Sequence, residues 1–139
     1  MFSISYVDLE GFVNFLMEEE LSGKSSRQRA KFVKVAQQGL MDFFTKRDDL
    51  ISNHAKRDEV GNIITTENEQ GNTVVEVDNM EEFKKEFELL NKERFEIPTT
   101  EDTREYLMVV QNIVLNTERN FKGQEALLYD VYCDIVEQI

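Results

Sequence analysis

The sequence predicts a mainly α-helical fold: an antiparallel helical hairpin with a β-hairpin at its tip, packed on a small helical bundle, with about five helices in all. Three observations support this prediction. Hydrophobic residues make up 40% of the 139 residues and aromatic residues 10%, which is enough to build a buried core. One proline and six glycines leave long stretches without a helix breaker. Apolar residues recur at steps of three and four in five segments, which is the period of a packed helix.

The first two helices are predicted over residues 8–21 and from residue 25 or 26 to residue 57. Asp8 can cap the first helix, and Gly23 suits the left-handed position that commonly ends one. The second helix would be unusually long, roughly 50 Å at about 1.5 Å per residue. Its apolar residues follow the three-and-four spacing of a helix that packs along one face.

A β-hairpin and a third helix are predicted next. Two β-like runs, 62–66 and 73–77, flank a segment with turn chemistry at 69–72. The third helix opens at residue 78 or 79, and its apolar residues are spaced three, four and three: Met80, Phe83, Phe87 and Leu90. This narrow seam is typical of a helix that packs along another helix, so we pair it with the second one.

The last third of the chain is predicted to hold two more helices. Residues 95–97 are expected to be extended, because Pro98 disfavours helix at the residue before it. The fourth helix follows a capping segment at 99–102 and is the most apolar, which predicts a central position. The fifth helix runs from about residue 124 to the end, with these residues expected to face inward: Leu127, Leu128, Val131, Tyr132, Ile135 and Val136.

We expect a single domain over residues 1–139. The helical hairpin with its β tip would occupy 25–97, and the helical base would comprise 8–22 and 99–139. No stretch approaches the ~20 apolar residues of a membrane helix, and residues 1–10 lack the features of a secretory signal. We therefore expect a protein of the bacterial cytoplasm, in which Cys133 is a buried thiol.

The charge is unevenly distributed along the chain. The net charge is −12, yet residues 21–41 hold five basic residues and no acidic one, which leaves −17 on the remainder. Most of the surface should therefore repel nucleic acid. Four of the basic residues fall at three- and four-residue steps and form one helical stripe: Lys24, Arg27, Lys31 and Lys34. The stripe could be a docking site for phosphate or for an acidic protein surface. At this point we favour the other explanation, that it neutralises acidic residues of the chain itself, such as Glu18, Glu19 and Glu20.

Several local motifs resemble functional sites but lack an essential part. A phosphate-binding loop ending at 23–26 would need a glycine where the chain has Glu18. His54 and Asp58 are spaced for two metal ligands, but no other cysteine or histidine lies nearby to complete a site. A calcium loop at 58–62 fails because its glycine is at position four and not six.

No set of residues in the sequence points to catalysis. The single histidine and the single cysteine exclude a disulfide, a multi-histidine metal site and most Ser-His-Asp arrangements. Adjacent carboxylates recur, as at 48–49, 81–82 and 101–102, but they fall at helix starts and polar faces, where they serve as caps and solvated charges. We therefore predict no enzyme, no catalytic residue, no cofactor and no bound metal.

Several segments together resemble a known family. They are SSRQRAKFVK at 25–34, DEVGN at 58–62, EFKKEF at 82–87, FEI at 95–97, NIVLN at 112–116 and FKGQEALLYD at 121–130. The pattern is similar to a family of small uncharacterised proteins encoded by phages and prophages of Gram-positive bacteria. The resemblance implies a phage origin and a bacterial cytoplasm, and it supplies no established reaction.

Two hypotheses about function follow. The first is a non-enzymatic phage or prophage protein that acts through protein–protein contacts, in virion tail assembly or as an accessory factor. The alternative is a small acidic inhibitor of a host defence nuclease or nucleic-acid-binding enzyme. We expect a phage or host protein as partner, with a second copy of the chain as another option and neither nucleic acid nor membrane. The candidate partner contacts are Lys24, Arg27, Lys31, Lys34, Phe83 and Phe87.

Overall fold

The computed structural model describes residues 1–139 and confirms a mainly α-helical fold. The elements are, in order, β1 (Phe2–Ser5), α1 (Tyr6–Met17), α2 (Gly23–His54), β2 (Thr65–Glu67), β3 (Thr73–Val75), α3 (Met80–Asn91), β4 (Arg94–Ile97), α4 (Arg104–Leu115) and α5 (Gln124–Glu137). Contacts divide the chain into a larger unit, Met1–Leu40 with Arg94–Ile139, and a smaller unit, Met41–Glu93. Helix α2 contributes residues to both units. The single domain expected from the sequence stays a prediction.

A two-stranded antiparallel sheet joins the two ends of the larger unit's sequence. Strand β1 pairs with β4, with Phe2 opposite Ile97 and Ile4 opposite Phe95. The extended segment predicted before Pro98 is therefore a strand. Its partner β1 was missed, although the alternation of apolar and polar residues over 2–5 has the period of a half-buried strand.

Phenylalanines from four different elements form the centre of the larger unit. The ring centroid of Phe2 lies 5.4 Å from that of Phe12, 5.2 Å from that of Phe32 and 6.2 Å from that of Phe95. Burying an aromatic side chain stabilises a fold by roughly 1.5–3 kcal/mol. The cluster therefore links β1, α1, α2 and β4 into one core.

The two C-terminal helices complete this core. Helix α4 buries five side chains and is as central as predicted: Tyr106, Leu107, Val110, Ile113 and Val114. Helix α5 buries Tyr132, Ile135 and Val136. The inward orientation predicted for Leu127, Leu128 and Val131 is wrong, because these residues lie on another face of α5 and Leu127 is 64% exposed.

The start of α1 and the junction with α2 also differ from the prediction. Ser5, and not Asp8, caps α1, since its side chain accepts a hydrogen bond from the Asp8 backbone N–H. Gly23 does not adopt the left-handed conformation; it is the first residue of α2. We predicted Asp8 as the cap because we expected no strand before it. Strand β1 ends at Ser5 and α1 follows directly, so the cap lies three residues earlier than predicted.

The smaller unit contains the predicted antiparallel helical hairpin. Lys46 in α2 pairs with Glu93 after the end of α3 at 3.2 Å, and Nε2 of His54 lies 2.6 Å from a carboxylate oxygen of Glu86. Later residues of α2 therefore contact earlier residues of α3, so the two helices are antiparallel. Helix α3 begins where predicted, because the Asn79 side chain accepts a hydrogen bond from the Glu82 backbone N–H.

A compact β tip connects the two helices of this hairpin. Strands β2 and β3 pair antiparallel, as predicted but over fewer residues. At the base of the tip three backbone hydrogen bonds close a ring: Lys56 donates to Glu76, Glu76 to Ile64, and Ile64 to Lys56. Three chain segments are thus held together without a packed core of their own.

The tip contains two turns of the same design. Asp58 accepts hydrogen bonds through its side chain from the backbones of Val60 and Asn62, and Asn68 accepts from those of Gln70 and Asn72. Each turn also contains a glycine with positive φ, 92° at Gly61 and 80° at Gly71. The segment that resembled a calcium loop is therefore a closed turn, with its carboxylate committed to backbone N–H groups.

None of the five helices combines the length and the apolar character required to cross a lipid bilayer.

Candidate interaction surfaces

The basic stripe, which comprises Lys24, Arg27, Lys31 and Lys34, lies on α2 within the larger unit. All four side chains are exposed, and none of them forms an ion pair or a side-chain hydrogen bond. Three- and four-residue spacing places them along one side of the helix. The structure therefore brings these predicted residues together as a row of unpaired positive charges.

The stripe does not neutralise the acids at the end of α1, contrary to our expectation. Arg119, in the segment between α4 and α5, pairs instead with Glu18 at 2.7 Å and with Glu19 at 2.9 Å. Arg119 also donates to the backbone carbonyl of Phe15, and Arg29 donates to the carbonyl of Leu16. These two arginines satisfy the free carbonyl groups at the end of α1, which contains no basic residue in its own last turn.

A shallow groove of about 300 Å³ borders the stripe. Its walls include the exposed side chain of Met17 from α1, together with Ala30, Val33 and the stripe residue Lys34 from α2. Protein interfaces combine an apolar centre with a polar rim. The groove and the stripe together offer both elements on one side of the larger unit.

A second surface, which we call the aromatic cleft, lies between α1, the segment before α5, and α5 itself. Its volume is about 380 Å³, and all of its residues belong to the larger unit. Four aromatic residues line it: Phe15, Phe121, Tyr129 and Tyr132. The rings of Phe121 and Tyr129 are stacked at 4.4 Å, and the Arg119 guanidinium lies 3.8 Å above the Phe15 ring.

The hydroxyl group of Tyr132 is free within this cleft. Tyr132 is only 2% exposed, yet its oxygen forms no hydrogen bond with any other group of the chain. The oxygen lies 3.0 Å from the point that a Cβ atom on Gly11 would occupy, and Gly11 also lines the cleft. The absence of a side chain at Gly11 therefore leaves space beside the hydroxyl.

Both tyrosines of the cleft are held in the protonated form. Burial raises the pKa of Tyr132 to about 12, with a further contribution from the negative charge of Asp8. Burial also raises the pKa of Tyr129 to about 12, and the neighbouring Cys133 thiol adds to this effect. The Tyr129 hydroxyl donates to the carbonyl of Val114 at 2.7 Å, so only the Tyr132 hydroxyl is available to a further group.

The remaining predicted contact residues, Phe83 and Phe87, are half-buried in the smaller unit. Their rings stack on each other at 5.6 Å, and Phe83 also contacts the ring of His54 edge-on at 5.8 Å. His54 is a residue of the last turn of α2, but Phe83 and Glu86 leave its side chain only 17% exposed. Part of the surface of each phenylalanine ring is therefore used in contacts within the hairpin.

Two other motifs that resembled functional sites in the sequence have structural roles. The segment at 23–26, which resembled a phosphate-binding loop, is the first turn of α2, where the Ser26 backbone donates to Ser22. His54 contacts Glu86 and not Asp58. No group of three or more histidine, cysteine, aspartate or glutamate side chains converges in a way that could hold a metal ion.

The aromatic cleft was missed at the sequence level. The residues that form it are spread from Gly11 to Tyr132, and Tyr132 was assigned to the core. One signal was available: Arg119 follows Glu118 and stands alone among polar neighbours before an aromatic residue. An arginine of this kind often packs on a ring and pairs with distant acids.

The chain matches no family model, no curated protein and no solved structure.

Proposed function

We propose that this chain is a non-enzymatic phage or prophage protein that binds an acidic protein surface through the basic stripe on α2. The phage origin rests on the family resemblance of the sequence segments described above. The mode of action rests on the four unpaired cations. Virion assembly and an accessory role are both compatible with this mode of binding.

The observation that most supports this function is that no interaction within the fold depends on the stripe. None of its four cations pairs with an acid of the chain, and two of the three acids expected to neutralise them, Glu18 and Glu19, pair with Arg119. Lys24 lies in the first turn of α2, where the helix dipole disfavours positive charge and where no acidic residue offsets it. An acidic partner would pair these charges, which no acid of the chain does.

The partner is a protein segment with acidic residues around an apolar centre. The acids would meet the stripe, and an apolar side chain would enter the groove beside Met17. Charge complementarity of this kind raises association rates and selects among partners. A nucleic acid carries one negative charge every few ångströms along its whole length, so the −17 charge outside residues 21–41 repels it more strongly than it repels a protein with a local acidic patch.

The alternative, an acidic inhibitor of a nuclease, requires acids on one continuous face. Helix α3 is the most acidic segment of the hairpin, but Lys84, Lys85 and Lys92 interrupt its acidic residues. The structure offers no specific observation in its favour. It enters the experiment below as a separate outcome.

The test compares two variants with the same net charge. The stripe variant replaces Lys24, Arg27, Lys31 and Lys34 by glutamine. The control variant replaces four exposed lysines away from the stripe by glutamine: Lys84, Lys85, Lys92 and Lys122. Both changes lower the formal net charge from −12 to −16. Binding to an immobilised Glu/Asp-rich peptide with one leucine, to duplex DNA and to a second copy of the chain is measured at increasing salt. Inhibition of a DNA-cleaving nuclease by the wild type and by both variants is measured in parallel.

We expect saturable, salt-sensitive binding of the acidic peptide by the wild type and the control variant, and at least a tenfold loss in the stripe variant. Equal binding by the two variants would show that the stripe is not the contact. Preferential binding of DNA would replace the proposed partner with a nucleic acid. Inhibition of a nuclease that survives in the stripe variant would favour the alternative function.

A further inference from the structure

We propose that the aromatic cleft binds a small, flat, uncharged nitrogen heterocycle of the nucleobase type, which accepts a hydrogen bond from the hydroxyl group of Tyr132. The cleft shares no residue with the basic stripe, so this site is independent of the protein-binding function proposed above.

The walls of the cleft fit a planar ring. Phe121 and Tyr129 stack with only 13° between their ring planes, and Phe15 lies 6.0 Å from Phe121 with 28° between the planes. Flat ligands bind such surfaces by stacking, which contributes roughly 1–3 kcal/mol for a nucleobase on an aromatic side chain. The volume of about 380 Å³ lies within the range of roughly 300–1,000 Å³ that is usual for small-molecule sites.

The Tyr132 hydroxyl indicates that the ligand carries a hydrogen-bond acceptor. The Tyr132 oxygen keeps some contact with solvent at the cleft, since no side-chain oxygen or nitrogen of the chain is both fully buried and unpaired. A ligand that displaces this solvent must offer a hydrogen-bond acceptor, because an O–H group left without a partner away from water is costly. Here the hydroxyl lines the cleft without any partner in the chain. A ring nitrogen or an exocyclic carbonyl of a heterocycle would complete its hydrogen bonding.

The charges around the cleft exclude anionic ligands. Glu18 and Glu125 both lie at the rim, and the only cation there, Arg119, is occupied by Glu18, Glu19 and the carbonyl of Phe15. No free positive charge remains for a phosphate or a carboxylate group. The site therefore favours a free base or a nucleoside over a nucleotide.

The rim also offers groups that can read the polar edge of such a ring. The side chains of Asn14, Asn120 and Glu125 line the cleft, are exposed and form no hydrogen bond within the chain. An amide can donate and accept at once, which is the pattern that nucleobase edges require, and a carboxylate accepts from ring N–H or amino groups.

The binding experiment uses adenine, adenosine, uracil and uridine as probes. The corresponding 5′-monophosphates and a short single-stranded oligonucleotide are the charged counterparts. Binding is followed by calorimetry and by tyrosine fluorescence, which is usable because the chain has four tyrosines, two of them in the cleft, and no tryptophan. We expect saturable binding of at least one uncharged probe and binding at least several-fold weaker for its phosphorylated form.

Two variants locate the binding site. Tyr132→Phe removes only the hydroxyl and is expected to weaken binding by about three- to tenfold, the effect of one neutral hydrogen bond. Its matched control is Tyr106→Phe, which removes the hydroxyl of a buried tyrosine outside the cleft. Gly11→Ala places a methyl group 3.0 Å from the Tyr132 oxygen and should also weaken binding, whereas Gly23→Ala, with no atom within 4 Å of the added carbon, should not.

Every outcome decides for or against the site. Loss in Tyr132→Phe or Gly11→Ala, with retention in both controls and an unchanged circular dichroism spectrum, supports it. No saturable binding of any uncharged probe overturns it, as does binding that both cleft variants leave intact. Tighter binding of the oligonucleotide than of every uncharged probe would also overturn it, because the acidic rim should reject phosphates. If Tyr132→Phe does not fold, Gly11→Ala decides.

Discussion

Arg119 combines more interactions than any other charged residue of the larger unit. Its guanidinium pairs with Glu18 and Glu19, donates to the carbonyl of Phe15 and covers the ring of the same residue. The hydroxyl of Thr117 also donates to Glu19, at 2.6 Å. The end of α1 is thus held by a segment that lies about a hundred residues later in the sequence.

Replacing this arginine should therefore be costly. We expect Arg119→Met to lower the free energy of unfolding by about 2–3 kcal/mol, because a part-buried network loses its common donor while Glu19 keeps its charge. Arg119→Lys should recover part of the loss, since a single ammonium group cannot reproduce the guanidinium fork. Urea denaturation measures both values.

Arg104 provides the matched control for this prediction. It is exposed and its side chain has no partner, so Arg104→Met should change stability by less than about 0.5 kcal/mol. If the two methionine variants are equally stable, the network contributes nothing to the fold.

The cleft tyrosines predict a loss of stability in alkaline solution. The ordinary pKa of tyrosine is about 10, and burial raises the pKa of both Tyr129 and Tyr132 to about 12. The folded protein thus binds these protons more tightly than the unfolded chain does. Their contribution is complete below about pH 10 and disappears as the pH rises through 12.

Absorbance of the tyrosinate form provides the measurement. Burial also raises the pKa of Tyr106, so we expect three of the four tyrosines to ionise above the ordinary pKa, with Tyr129 and Tyr132 ionising near pH 12 as the protein unfolds. In Tyr132→Phe one of these late ionisations should disappear. Complete ionisation near pH 10 with the helical signal intact would contradict the burial of these phenol groups.

At the level of elements, the contact between α2 and β4 depends on a glycine. A Cβ atom on Gly39 would lie 2.7 Å from two ring carbons of Phe95, which is itself buried in the core. Gly39→Ala should lower the free energy of unfolding by about 1–3 kcal/mol through overpacking, even though alanine is the better helix former by about 1 kcal/mol. Gly23→Ala serves as the control, and a Gly39→Ala variant more stable than the wild type would show that the ring moves freely.

The elements that the sequence predicted correctly carry strong local signals. The cap of α3 and the apolar spacing of α3 and α4 are short-range features, and both helices begin within a few residues of the predicted positions. The cap predicted for α4 at 99–102 is wrong, because the helix begins at Arg104 after Thr103, whose side chain forms no capping hydrogen bond. The inward face of α5 was predicted only in part: Tyr132, Ile135 and Val136 are buried as predicted, whereas Leu127, Leu128 and Val131 are exposed. Helical periodicity alone cannot decide which apolar residues of a helix face the core.

The two candidate surfaces were predictable to different degrees. The stripe depends on i, i+3 and i, i+4 spacing on one helix, so its four residues could be identified from the sequence. The cleft depends on α1, α5 and Arg119 meeting in three dimensions, and no local pattern contains that information. The unpaired state of the stripe was equally hidden, since it required knowing that Arg119 had taken its expected partners.

At the level of the whole molecule, hydrophobic burial is concentrated in the larger unit. Only four of the buried core side chains lie in the smaller unit: Phe43, Ala55, Val77 and Leu90. Segments with few buried apolar side chains open more readily to solvent than a packed core does. The β tip is held mainly by backbone hydrogen bonds and by its two turns.

Hydrogen–deuterium exchange should reveal this difference. We expect amides of residues 55–79 to exchange at least a hundredfold faster than those of α4, because opening the tip exposes little apolar surface. Gly71→Ala, which forces a side chain into a φ of 80°, should accelerate exchange in the tip further and leave α4 unchanged. Uniform protection along the chain would mean that the two units open as one.

The pairing of β1 with β4 has a consequence for synthesis on the ribosome. Phe2 pairs with Ile97, so strand β1 has no partner until 97 − 2 = 95 further residues have been translated. Meanwhile Phe2, which contacts the rings of Phe12 and Phe32, emerges without the ring of Phe95 against which it packs. Contacts so distant in sequence form slowly, so the nascent chain keeps apolar side chains of β1 exposed until β4 has been translated, and this is the interval in which chaperones that bind apolar segments would act on it.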